Sequence, residues 1–96
     1  MIVNNMLSSK GNKVPNQFII NDYDTKIFQS YKSIIAKVEP SHLHNNVHID
    51  EVVKLDDHYW NYSPTTSKYL ALFLGVTNKE LKANVKNGTY QLVNLN

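Results

Sequence analysis

The clearest periodicity in the chain lies between residues 64 and 74, where Thr66, Tyr69, Leu70, Phe73 and Leu74 recur at helical spacing and form one broad apolar stripe. Its flanks carry the punctuation of a helix. Ser63 can accept a hydrogen bond from a free amide of the first turn, Pro64 suits the first helical position because its missing N–H is no loss there, and Gly75 supplies the stop. The pattern predicts a helix over 64–74 whose stripe must be covered by a sheet or another helix. A second helix is predicted over 78–86. Thr77 and Glu80 stand at capping-box spacing, Val76 and Leu81 at hydrophobic-staple spacing, and Asn87 and Gly88 tolerate the left-handed backbone that ends a helix.

Upstream the period shortens to that of strands. Residues 17–21 and 26–31 are β-prone runs separated by Asp22, Tyr23, Asp24 and Thr25, a loop of hairpin length rich in turn formers. Residues 33–38 make a third apolar run, closed by Pro40, which cannot donate to a ladder and restrains Glu39. Phe28, Tyr31, Ile34, Ile35 and Val38 also fit a helical period, but the β-branched end of the run favours a strand. Residues 89–95 alternate well enough to form a closing strand that returns to the sheet. Ahead of all this, Asn, Ser, Lys, Gly and Pro interrupt two short apolar groups. Residues 1–16 are therefore expected as a flexible arm, with 8–16 a tail and 2–7 open between a frayed and a docked state. The expected fold is α+β: residues 17–96 form one domain, a small antiparallel sheet packed against two short C-terminal helices, with a His-rich hairpin inserted at 39–52.

Composition changes this picture in three places. At 96 residues the chain is one domain with a small core. It contains no cysteine, so a disulfide or thiolate site is excluded and a metal clip would need His and carboxylate. Ten Lys stand against eight acids, a balance too even for a DNA-mimicking acidic protein or a strongly basic nucleic-acid coat. None of the ten cations is Arg, which counts against base-specific reading of duplex DNA, where Arg on guanine is the commonest contact. No signal peptide or membrane span is read, and no membrane role is expected.

The densest candidate chemistry is SHLHNNVHID at 41–50. Imidazole and carboxylate suit zinc and several other divalent metals, so geometry must decide whether these groups converge. A two-residue turn at Asn45 and Asn46 would place His44 opposite Val47 and His42 opposite Ile49, with His48 on the other side. A three-residue loop through Val47 would instead pair His44 with His48, Leu43 with Ile49 and His42 with Asp50, putting His42, His44, His48 and Asp50 on one face. Because register is normally set by keeping the apolar set on one side, the three-residue loop is favoured. It predicts a structural zinc site, with His58 as a reserve ligand beside Tyr59 and Trp60.

The helix pair offers a second candidate. Two helices joined by Gly75, Val76 and Thr77 have the length of a helix-turn-helix, and Lys79, Lys82 and Lys86 share one face of the second. That face suits phosphate contact, although such a stripe more often serves only solvation. Enzymatic readings have less behind them. Thr65 to Lys68 imitates a Ser-x-x-Lys spacing, but the hydroxyl differs and a helix start explains the region. Asp56 and Asp57 are adjacent and would point to opposite faces of a strand. No enzyme activity is expected.

The runs IFQSYKSIIAKV, VKLDDHYWNYSPTTSKYLALFLG and NGTYQLVNLN resemble a family of small, mostly uncharacterised proteins encoded by phages and prophages of low-GC Gram-positive bacteria, over residues 17–96. The chain departs from that pattern at Pro64, where a basic residue is expected, and between Val38 and Val53, where it is longer and His-rich. Some small prophage proteins of this kind are similar to type II-A anti-CRISPR inhibitors. The resemblance implies a stoichiometric inhibitor in the host bacterial cytoplasm, a protein that binds the RNA-guided nuclease of a type II CRISPR system and blocks its use of target DNA. The alternative is a small nucleic-acid-binding phage regulator acting through Lys79, Lys82 and Lys86.

Overall fold

The alternating run that starts at Lys13 becomes the longest strand of the molecule, and the computed structural model, which describes residues 1–96, builds a six-stranded sheet around it. In chain order the elements are β1 (Ile2–Leu7), β2 (Lys13–Asp22), β3 (Thr25–Ser30), β4 (Ser33–Glu39), β5 (His42–His44), β6 (Val47–Ile49), β7 (Val52–Asp56), α1 (Pro64–Leu74), α2 (Asn78–Lys86) and β8 (Gln91–Val93). The sheet order is β1-β2-β3-β4-β7-β8, and β5 and β6 form a separate two-stranded ribbon. All neighbours in the large sheet are antiparallel except β7 and β8, which run parallel. A parallel pair needs a long crossover, and here both helices supply it. The fold is α+β with two short C-terminal helices, as the patterning indicates.

Of the first sixteen residues, 2–7 take the docked alternative, while 8–16 form a turn and the start of β2 where a tail is expected. Residues 2–7 pair with β2 along the edge of the sheet, and β2 itself begins at Lys13. The polar punctuation between them is a turn. The Ser8 hydroxyl accepts the amides of Lys10 and Asn12 at 3.3 and 3.2 Å, and Gly11 takes the positive φ of 80° that the turn requires. Met6 then reaches the core with 3% of its surface exposed. Residues 33–39 are a strand, so the competing helical period of that run has no place.

Both helices form where their caps put them. Ser63 Oγ accepts the Thr66 amide at 3.1 Å, and Gly75 closes α1 in the left-handed conformation. Thr77 and Glu80 complete a reciprocal capping box with two 3.1 Å bonds. The α1 stripe lies on one face of the sheet: Leu70 is fully buried with Phe28, Leu55 and Ala36, and Phe73 stacks on Phe28 at 5.7 Å. Tyr69, Phe73 and Leu74 are only half-buried and border this core, which Leu81 from α2, Tyr90 and Met6 complete.

Register assigns the two faces. Ile19, Phe28, Ala36 and Leu55 are successive cross-strand partners and point to the helices. One residue along, Val3, Ile20, Ile27, Lys37 and Lys54 form the corresponding row on the opposite face, and Asn5, Phe18, Gln29 and Ile34 form the next. No helix covers that face. Ile20 is nonetheless only 9% exposed, and it stands outside the core cluster. Val3, Phe18, Ile27 and Ile34 lie beside it in register and shelter it as a second apolar cluster, with Phe18, Ile27 and Ile34 half-buried and Val3 exposed.

Candidate functional site

The uncovered face has an apolar half and a charged half. Toward β4 and β7 the apolar cluster gives way to Lys37, Lys54 and Glu39. Glu39 Oε1 accepts from Lys54 Nζ at 2.9 Å and lies 3.8 Å from Lys37 Nζ. The Lys54 hydrogen bond, aided by the charges of Lys54 and Lys37, holds the Glu39 carboxyl below its ordinary range against a smaller desolvation effect. Two cations on one anion leave this margin net positive. The surface is thus an apolar patch with a cationic border, an arrangement suited to a partner with apolar residues inside an acidic rim.

The His-rich insert takes the two-residue register. Asn45 and Asn46 have φ of 51° and 64°, the two positive values of a type I′ turn, and the pairs are His42 with Ile49, Leu43 with His48 and His44 with Val47. The expected convergence of His42, His44, His48 and Asp50 therefore does not occur: His48 is on the face opposite His42 and His44. It pairs instead with Asp50, Nε2 to Oδ1 at 3.0 Å, while His42 Nδ1 lies 3.3 Å from the Pro40 carbonyl. His58 stands apart in the loop before α1, edge-on to Tyr59 with ring centroids 4.6 Å apart. Nowhere do three His, Asp or Glu side chains gather in one place.

A more organised locus lies where β7 leaves the sheet. Asp56 is 1% exposed, and its carboxylate accepts the amides of His58, Tyr59 and Leu95 at 3.1, 2.9 and 2.8 Å. Burial alone would raise its pKa. The bonds from Leu95, Asn96, Tyr59 and His58 outweigh that effect and hold it below the ordinary value. Asn96 in turn takes the place of the partner that Ile34 lacks on its β7 side, donating to its carbonyl and accepting its amide at 2.8 Å each. These bonds fix the loop 57–63 against the β3–β4 turn, and a recess of about 260 Å³ opens between them. Ser30, Tyr31, Ser33, Ile35, Tyr59, Tyr62, Ser63 and Thr66 line it. Nearly all come from the FQSYKSIIA and WNYSPTTSKYL runs, so the two strings that carry the sequence resemblance meet here.

Lys79, Lys82 and Lys86 are exposed on α2. Lys82 also lines a second, more open recess of about 460 Å³ with Asn61, Tyr62, Ser63, Pro64, Ser67 and Asn78. Tyr62 and Ser63 belong to both recesses. Sequence reasoning did not find the tyrosine recess, although the repeated Ser–Tyr pairs at 30–31 and 62–63 were its visible signal.

Fold and surface together define a small α+β domain with one sheet face under its helices and the other uncovered. The chain belongs to the family described as "Family of unknown function (DUF8033)", whose model matches residues 1–89. No curated protein and no solved structure matches. No helix is long and apolar enough to cross a membrane.

Proposed function

We propose that this protein works by stoichiometric binding rather than turnover, and that it docks a protein partner on the uncovered face of the sheet. The observation that carries the reading is the second apolar cluster, Val3, Phe18, Ile20, Ile27 and Ile34, on a face no helix protects. A folded domain gains nothing by leaving such a surface to water, whereas a binding partner recovers the hydrophobic contribution. The sequence resemblance supplies the partner to test first, the RNA-guided nuclease of a type II CRISPR system, inhibited by blocking its use of target DNA. The even charge balance supports contact with a protein lobe over imitation of duplex DNA.

The test is co-elution of the purified protein with that nuclease, together with titration of target cleavage. Suppression at near-stoichiometric amounts with modest salt dependence is expected. Failure of both co-elution and inhibition would contradict the nuclease as partner. If the protein instead binds free duplex with an affinity that falls steeply with salt, the regulatory alternative takes over through Lys79, Lys82 and Lys86.

A further inference from the structure

We infer that the tyrosine recess and the adjoining Lys82 recess together bind one unpaired nucleotide unit, its base in the first and its phosphate in the second. This does not rest on the protein-docking reading and uses a different surface. The first recess has no charged group, and its walls offer aromatic faces and hydroxyls, the chemistry that stacks a base and bonds its edge. Tyr62 is 70% exposed although its ring meets that of Tyr59 in a T-shaped contact at 5.6 Å, and Tyr31 is 60% exposed, so each ring offers open surface to a planar ligand. Tyr31 is presented by a backbone φ of 55°, a left-handed conformation costly for a bulky residue.

The polar walls also have unused capacity. The hydroxyls of Ser30 and Ser33 have no partner within the protein, unlike Ser63, which is committed to Thr66. Gln17, the cross-strand partner of Ser30, is 1% exposed, and its buried Oε1 has no hydrogen bond. Gln17 lines neither recess, so the capacity that faces the ligand is that of the two serine hydroxyls. Continuity gives the ligand its second half. Tyr62 and Ser63 form the wall between the two recesses, and across it stands Lys82, free of any ion pair, with the amides of Asn61 and Asn78. A base stacked on Tyr62 is thereby adjacent to a cation that can meet its phosphate. Duplex DNA cannot enter, because its bases are stacked and paired.

The experiment is fluorescence anisotropy of the full chain with a labelled short oligothymidylate. Competition by the unlabelled oligomer, by free thymidine monophosphate and by a duplex separates the sources. The single strand is expected to bind and the duplex not to compete; competition by the mononucleotide as strong as by the oligomer assigns the site to a free nucleotide. Tyr62→Ala should weaken binding about tenfold or more, while Tyr62→Phe keeps the ring and most of the affinity. Lys82→Ala should lower the salt slope by roughly 0.7, one phosphate on a single strand. Both positions are exposed, so these variants should fold as the parent does. No binding of oligomer or mononucleotide, or binding unchanged by Tyr62→Ala, would overturn the inference. Neither result bears on nuclease co-elution, which depends on the sheet face.

Discussion

Asp56 shows how one side chain can secure a locus that no motif advertises. Its three accepted amide bonds join the end of β7, the loop 57–60 and the C-terminal segment, and one partner, Leu95, is 39 positions away. Removing the carboxylate leaves buried donors unpaired, so Asp56→Ala should cost about 3 kcal/mol or more, with Asp56→Asn milder because an acceptor oxygen remains. The folded pKa lies below the ordinary 3.8, so this contribution is fully present above about pH 4 and is lost as pH falls through the depressed value. Denaturant melts of parent and variant between about pH 7 and pH 2 check this. An Asp56→Ala midpoint equal to the parent's, or a parent whose stability does not fall in acid, would contradict it. At this scale the caps were legible because Ser63 bonds three residues on and Thr77 does the same. Asp56 was not, since adjacency to Asp57 says nothing of a donor 39 positions later.

At the scale of elements, the two helices were readable to their ends because each carries its own start and stop. The sheet was readable in part. The strands between 17 and 38 announced themselves by alternation, but β1 did not, because an edge strand facing a small core needs only one apolar anchor, here Met6. The hairpin 42–49 is the instructive error. Sorting apolar residues onto one face sets register only when that face is buried, and every residue from 41 to 50 is exposed. Turn chemistry decides instead, and consecutive asparagines favour the type I′ turn with its two positive φ values. The consequence for metal is specific. Protein purified without a His tag should contain well below one equivalent of zinc by elemental analysis. One full equivalent abolished by His48→Ala would contradict the observed register and restore the site of His42, His44, His48 and Asp50.

Across the whole molecule, one sheet carries two apolar clusters, and they do different work. The cluster under the helices holds the fold: Leu70→Ala should cost about 2 to 5 kcal/mol, and Phe73→Ala toward the lower end because it is half-buried. Thermal melts of the two variants check this order, and parental stability of both would contradict the core. Hydrophobic pattern alone foretold a core but not which of Ile19 and Ile20 would join it, because a single-residue change of face is settled only by pairing. The other cluster does not hold helices to the sheet, and on the proposed reading it holds a partner. Phe18 and Ile27 are central to it, and an aspartate at each would oppose docking without entering the core. The most direct measurement is therefore a co-elution titration of the type II nuclease against the parent and a Phe18→Asp, Ile27→Asp variant, each first shown to be folded by circular dichroism. A complex near one to one for the parent and none for the folded variant is the predicted result; equal binding by both would contradict docking through the uncovered face.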